Sequence, residues 1–197
     1  MGKPIVVAVT GASGAVYARR LVQCLATAGR EIHLICSPHG RRLLAEELGI
    51  AEPSAETLLG ETAARLVVHS YRDLGSSLAS GSFRTAGMIV CPASSNTMSA
   101  IAAGLADNLI TRAACVTLKE GRRLIVVPRE MPWSQINIRA ALTISQAGGI
   151  ICPACPGFYL KPTRVDQLVD FVVGRLLDLM DIEHQLDTRW TGGGEGP

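Results

Sequence analysis

Aromatic residues make up only 4% of this 197-residue chain and charged residues only 18%, with 19 Lys and Arg against 17 Asp and Glu for a formal charge of +2. So few Phe, Tyr and Trp argue against a β-sandwich, whose strands are rich in them. The near balance of charge excludes a nucleic-acid coat, which needs clustered cations to release counterions. The basic residues are left to serve a local anion. No charged segment followed by an apolar leader opens the chain, since Met1-Gly2-Lys3-Pro4 runs straight into residues 5–9. No apolar run approaches the roughly 18 residues of a membrane helix. Cys24, Cys36, Cys91, Cys115, Cys152 and Cys155 fall in hydrophobic segments rather than in a loop framework. They are expected to be buried free thiols, as in a reducing cytoplasm. His33, His39, His69 and His184 show no i,i+4 pairing and no neighbouring ligand set, so no metal site is expected.

What the chain does have is a 48% hydrophobic content and 20 glycines. At this length one core can bury roughly 70% of the surface that the unfolded chain exposes. A single domain over residues 1–190 is expected, with a disordered Gly-rich tail at 191–197. Five Val- and Ile-rich runs, at 5–9, 32–36, 88–91, 124–127 and 150–152, lack polar alternation, as do strands buried on both faces of a parallel sheet. Between them, helical spacing runs over 16–28, 40–48, 98–115 and 136–147. The pattern predicts an α/β, Rossmann-like, doubly wound and mostly parallel sheet with helices on both faces.

A last helix opens with Thr163 and Asp166 in capping-box spacing, with Val165, Leu168, Val169, Val172, Leu176 and Met180 on one apolar stripe and Arg175 on the polar side. The Ser- and Gly-bearing stretch 70–85 reads as a mobile surface connection, of a length that is often functional.

Thr10-Gly11-Ala12-Ser13-Gly14 follows the first strand and opens a helix, where backbone N–H groups can hold a phosphate. The glycine spacing of a dinucleotide fingerprint is missing, because Ala15 and Tyr17 stand where glycine is required. A mononucleotide or other phosphate and a plain tight turn both remain open. A second polar turn, Pro92-Ala93-Ser94-Ser95-Asn96-Thr97, is either ordinary N-capping or a further contact to the same ligand. With Ser37, both turns fall at the carboxyl ends of strands.

Arg129 and Glu130 follow the fourth strand, as a surface ion pair or as a phosphate ligand and a proton-transfer group. Arg112, Lys119, Tyr159, Lys161 and Arg175 could supply a second phosphate site if they converge. Cys152-Pro153-Ala154-Cys155 has redox spacing without a thioredoxin-like order or a second pair for zinc.

The ordered set Thr10-Gly11-Ala12-Ser13-Gly14-Ala15, Ser80-Gly81-Ser82-Phe83, Leu118-Lys119-Glu120, Pro128-Arg129-Glu130-Met131-Pro132, Phe158-Tyr159 with Pro162, and Arg189-Trp190 resembles the UbiX-type flavin prenyltransferases nearly end to end. The resemblance implies a Rossmann-like flavoprotein that joins a dimethylallyl group from dimethylallyl monophosphate to N5 and C6 of reduced FMN. The prenylated FMN would pass to a partner UbiD-type decarboxylase. It implies FMN contacts at Gly11, Ala12, Ser13, Ser37, Ser94, Ser95, Asn96, Thr97 and Arg129. It implies dimethylallyl phosphate contacts at Arg112, Lys119, Arg129, Tyr159 and Arg175, with Ser13, Glu130 and Lys119 in the chemistry and no metal. It further implies a cytoplasmic homo-oligomer, a dodecamer, with an active site between subunits. The second turn departs from the family's more frequent Ser-Met-Gly/Lys-Thr and is also similar to that of flavin-dependent cysteine decarboxylases. Storage of FMN without turnover and direct decarboxylation are the alternatives.

Overall fold

The computed structural model describes residues 2–60 and 65–189. The tail expected at 191–197 and the Trp190 of the last motif lie outside them. The element order is β1 (Ile5–Val9), α1 (Ala15–Thr27), β2 (Ile32–Cys36), α2 (Pro38–Leu48), α3 (Ala55–Leu59), β3 (Leu66–His69), a 3-10 turn (Ser77–Ala79), β4 (Gly87–Ala93), α4 (Ser95–Ala102), α5 (Leu109–Lys119), β5 (Arg123–Pro128), α6 (Gln135–Gln146), β6 (Ile150–Ile151) and α7 (Val165–Leu179).

The strands form one sheet in the order β3-β2-β1-β4-β5-β6, and every pairing is parallel. This is the doubly wound Rossmann order, which reverses direction between β1 and β4. Every residue of β1, β2 and β4 is buried, which is why these runs show no polar alternation. Ile5, Val7 and Val9 face α1 and α7, whereas Val6 and Ala8 face α4, α5 and α6. The helices therefore cover both sides, with α7 and α5 on opposite faces.

Several local expectations are corrected. A sixth strand, β3, lies at the edge beside β2; it is half-buried and Val67 is exposed, so its hydrophobic signal is weak. The helix expected over 98–115 is two helices, because the chain turns at Gly104 with φ 70 and restarts at Asn108. The Asn108 side chain accepts from the N–H groups of Ile110 and Thr111. At the start of α7 the expected Thr163–Asp166 box does not form. Instead Gln167 Oε1 accepts from the N–H groups of Thr163 at 2.7 Å and Arg164 at 3.1 Å, while Asp166 pairs with Arg164. Val165 is 73% exposed, and the buried stripe runs through Val169, Val172, Val173, Leu176, Leu177 and Met180. Of the cysteines, only Cys36 and Cys91 are buried and Cys155 is exposed, because the segment after β6 leaves the core; all six are free thiols.

The 70–85 stretch is anchored rather than loose. Glu31 accepts from His33 Nε2 at 3.0 Å, so a neutral His33 accepts at Nδ1, 2.8 Å from His69 Nε2. His69 Nδ1 is then left to accept from the Ser76 hydroxyl at 2.9 Å. Burial, and then the neighbouring His33, lower the His69 pKa, against the pull of Asp73, which favours this neutral chain. Arg112 Nε donates to the Ala79 carbonyl at 3.0 Å, and Arg122 donates to the carbonyls of Gly81 and Phe83.

Candidate functional site

The turns after β1 and β4 meet at the point where the strand order reverses. Thr10 is buried, and its hydroxyl donates to the Pro92 carbonyl at 2.9 Å while accepting from the Ser94 N–H at 2.8 Å. Ser94 caps α4 through a bond from the Thr97 N–H at 3.3 Å. Ser37 caps α2 in the same way, accepting from the Gly40 N–H at 3.0 Å, and its own N–H donates to the Val9 carbonyl at 2.9 Å. Gly40 permits this approach, since a Cβ there would sit 2.4 Å from the Val9 oxygen. Gly11, Ala12, Ser13, Ser37 and residues 94–97 are thus brought together at the carboxyl ends of β1, β2 and β4.

One occupant of this crevice escaped the sequence reading. Glu47, on α2, accepts from the N–H of Ala15 at 2.8 Å and from that of Gly14 at 3.0 Å. A carboxylate thereby neutralises the positive end of α1 from within the protein. Those amides were an expected phosphate cradle; they are already filled. The N–H groups of Ser95 and Asn96 begin α4, where helix geometry leaves them without intrahelical acceptors. The one side-chain cap there serves Thr97. The signal for Glu47 was slight: an acid on the exposed side of a helix 33 positions from its partner.

Arg129 and Glu130 follow β5 and separate, as expected of neighbours at a strand end. Glu130 accepts from the Ser95 hydroxyl at 2.9 Å, linking the second turn to β5. Arg129 reaches toward the first turn, where its Cδ would stand 3.5 Å from a Cβ on Gly14. Gly14 has φ 113, which favours glycine there. Tyr17 lies alongside: burial raises its hydroxyl pKa, Cys91 and Cys155 add to this, and Arg129 opposes it.

A cleft of about 690 Å³ opens between α7 and the segment after β6, lined by Cys155, Tyr159, Phe171, Arg175, Asp178, Thr188 and Arg189. Its volume is ordinary for a small-molecule site. Tyr159 stands edge-on to Phe171 at 5.6 Å. Arg175 is 3.7 Å from Asp178, which also accepts from Arg189 at 2.7 Å and lies 3.3 Å from His184. Burial would raise the Asp178 carboxyl, but Arg189 and His184 outweigh it and hold it below the ordinary range.

Arg112 and Lys119 are not in this cleft. Both ride on α5, across the sheet from α7; Arg112 binds Ala79, and Lys119 is exposed 3.9 Å from Glu120 near the amino ends of the strands. That end carries its own cavity of about 770 Å³, with Lys3, Arg84, Arg122 and Arg123 in its walls. Lys161, with φ 50, is exposed beyond Tyr159. Two histidines do meet, His33 and His69, but no group of three or more His, Cys, Asp or Glu could hold a metal among the described residues. No described helix is long and apolar enough to cross a membrane.

A doubly wound sheet with capped helix termini facing each other across the switch crevice defines a nucleotide-binding α/β protein. The Flavoprotein family model matches residues 1–177. The flavin prenyltransferase UbiX of Halalkalibacterium halodurans is 44% identical over 188 residues, covering 93% of this chain and 91% of that protein. A UbiX crystal structure in complex with FMN and dimethylallyl pyrophosphate is 38% identical and superposes with a TM-score of 0.91 over 98% of this chain and 100% of the other. A dodecameric FMN-dependent UbiX-like decarboxylase from Escherichia coli is 39% identical, with a TM-score of 0.87 over 96% and 99%. The chain belongs to the UbiX-type flavin prenyltransferase family.

Proposed function

We propose that the chain transfers a dimethylallyl group to reduced FMN with the residues named above, each in a definite role. What carries the reading is likeness over nearly the whole chain to a protein crystallised with FMN and a prenyl donor. Reduced FMN supplies the nucleophilic N5 and C6 positions to which the prenyl group is joined.

The flavin phosphate sits at the open amides of Ser95 and Asn96 and at the hydroxyls of Ser37, Ser94 and Thr97, because Glu47 has taken the amides of α1. Arg129, beside Gly14, faces the anion from β5. Gly11, Ala12 and Ser13 lie along the flavin, where an extended ligand needs close approach to the backbone. The exposed Ser13 hydroxyl and the Glu130 carboxylate, tied to Ser95, hold and return protons during transfer.

Tyr159 and Arg175 bind the phosphate of dimethylallyl monophosphate in the 690 Å³ cleft, which stabilises the charge that develops on the leaving group. Arg112 and Lys119 complete that site from a neighbouring subunit of a homo-oligomer, a dodecamer, since within one chain they lie across the sheet. Support comes from Met131, Ile136, Ile138 and Leu142, large apolar side chains exposed on and beside α6. Residues 1–190 act as one flavoprotein domain in the cytoplasm, and the product serves a UbiD-type decarboxylase.

Anaerobic incubation with reduced FMN and dimethylallyl monophosphate is expected to yield a flavin heavier by one dimethylallyl unit. Recovery of unmodified FMN alone would overturn the reading in favour of storage.

A further inference from the structure

Three hydrogen bonds run in series from Glu31, ahead of β2, to Ser76, at the start of the 3-10 turn. Glu31 Oε1 lies 3.0 Å from His33 Nε2, His33 Nδ1 lies 2.8 Å from His69 Nε2, and His69 Nδ1 lies 2.9 Å from the Ser76 hydroxyl. None of the four has a role in the transfer described above. Ser76 caps the turn, since its hydroxyl accepts from the Leu78 N–H at 3.4 Å and its carbonyl from the Ala79 N–H at 2.9 Å. The Ala79 carbonyl in turn accepts from Arg112 Nε at 3.0 Å. His69 thus stands one short turn away from a guanidinium assigned to the prenyl donor.

This series of bonds has a definite proton capacity. With both rings neutral, the hydrogens point from Ser76 toward Glu31, and each contact pairs one donor with one acceptor. A first proton from solvent makes His33 an imidazolium that donates to Glu31 and to His69 Nε2, while His69 carries its hydrogen on Nδ1 and donates to Ser76. All three contacts survive, two of them reversed. A second proton leaves hydrogens on both His33 Nδ1 and His69 Nε2, two donors facing each other at 2.8 Å with like charges on rings 5.0 Å apart. That contact cannot be made, and His33 is too buried for water to relieve it. The charged groups facing the pair are Glu31 and Asp73. β1 presents Val6 beside His33, and the turn after Ala79 presents the Phe83 ring at 5.2 Å. Arg112 on α5 and Arg122 are turned to the backbone carbonyls of that segment.

We propose that His33 and His69 are positioning residues for the prenyl-donor site: through Ser76 they hold the turn that orients Arg112, the hold survives one proton, and a second proton releases it. This rests on the transferase reading and on Arg112 as a ligand of the donor phosphate. Burial lowers the His69 pKa, so the ring takes its proton more readily once unfastened. The fastened form is therefore fully favoured above the ordinary histidine value, near 6.5, and loses ground as pH falls below it.

The test compares the full chain with Ser76→Ala, which cuts the series at its last bond, and with Ser76→Thr, which keeps the hydroxyl. Binding of dimethylallyl monophosphate is followed from about pH 8 to about pH 5, on either side of the ordinary histidine value. At the upper end Ser76→Ala should bind the donor at least about tenfold more weakly than the parent, with FMN affinity within about twofold, and Ser76→Thr should match the parent. At the lower end the parent should lose its advantage and converge on Ser76→Ala. The second ionisation of the donor phosphate affects all three chains alike and leaves their ratios untouched. Equal affinities at the upper end, or a ratio that stays constant down to the lower end, would overturn the proposal. Amide hydrogen exchange over residues 77–80 needs no donor: it should be faster in Ser76→Ala than in the parent at about pH 8 and equal in the two at about pH 5. Exchange that is equal in the two chains throughout would also overturn the proposal. Failure of all three chains to bind donor would overturn the transferase reading instead, and the exchange rates then decide the hold on the turn by themselves.

Discussion

The Ser94 N–H donates to Oγ1 of Thr10 at 2.8 Å, and the same hydroxyl donates to the Pro92 carbonyl at 2.9 Å. One buried side chain, 84 residues away from Ser94 in sequence, locks the turn after β1 to the turn after β4. Thr10→Val keeps the shape and the Thr10 N–H bond to the Pro92 carbonyl at 3.2 Å but leaves the Ser94 N–H without its acceptor, at a cost of about 1–3 kcal/mol. The variant should melt at lower temperature and bind FMN more weakly, whereas Thr10→Ser should do neither. Calorimetry and flavin titration decide it, and a Val variant indistinguishable from the parent contradicts the locking role.

Glu47 accepts from the Gly14 and Ala15 amides and so acts as an internal anion. Glu47→Ala should lose roughly 1 kcal/mol of stability through the uncapped positive end of α1. It should also gain more thermal protection from inorganic phosphate than the parent does, since the freed amides accept an external anion. Equal protection of the two chains would mean that the amides were never available to phosphate.

Glu130→Gln retains a polar group beside Ser95 but can neither take up nor hold a proton in the same way. Single-turnover measurements should show prenyl transfer slowed by about 10²–10⁴-fold, the range of acid–base catalysis, with FMN affinity little changed. A rate equal to that of the parent removes Glu130 from the chemistry.

Tyr159→Phe and Arg175→Ala alter only the cleft between α7 and the segment after β6. Loss of a hydrogen bond to a charged phosphate should weaken donor binding by about 1.5–3 kcal/mol, at least tenfold. FMN binding should move far less. Equal losses for both ligands would contradict the separation of the two phosphate sites.

Asp178 has its pKa lowered in the folded protein by Arg189 and His184 in spite of burial. A carboxyl held below its unfolded value contributes stability that is complete above the unfolded pKa, near 3.9. That contribution is lost as pH falls through the folded value. Melting curves should therefore show the parent more stable than Asp178→Asn at neutral pH, with the gap closing below about pH 4. A gap that persists into stronger acid would assign the effect to packing instead.

Much of this architecture is legible in the chain because strands buried on both faces leave unbroken apolar runs. β3 was not, since a four-residue edge strand with an exposed Val67 offers no such run. The break between α4 and α5 left readable traces in Gly104 and Asn108, which the apolar spacing on either side overrode. The two turns and Ser37 were legible as strand-end polar clusters. Their fastening through Thr10, and the entry of Glu47, depend on contacts 84 and 33 positions apart that local pattern does not encode. The helical spacing places Arg175 on the polar side of α7, and its side chain is half exposed there, although it faces a cleft rather than open solvent.

Arg112 and Arg175 stand on opposite sides of a β-sheet that no side chain can reach across. A reaction that needs both is governed by mass action among copies of the chain. Turnover per molecule would then fall on dilution once subunits part, and a chain lacking Arg112 mixed with one lacking Arg175 would regain part of the activity that neither has alone.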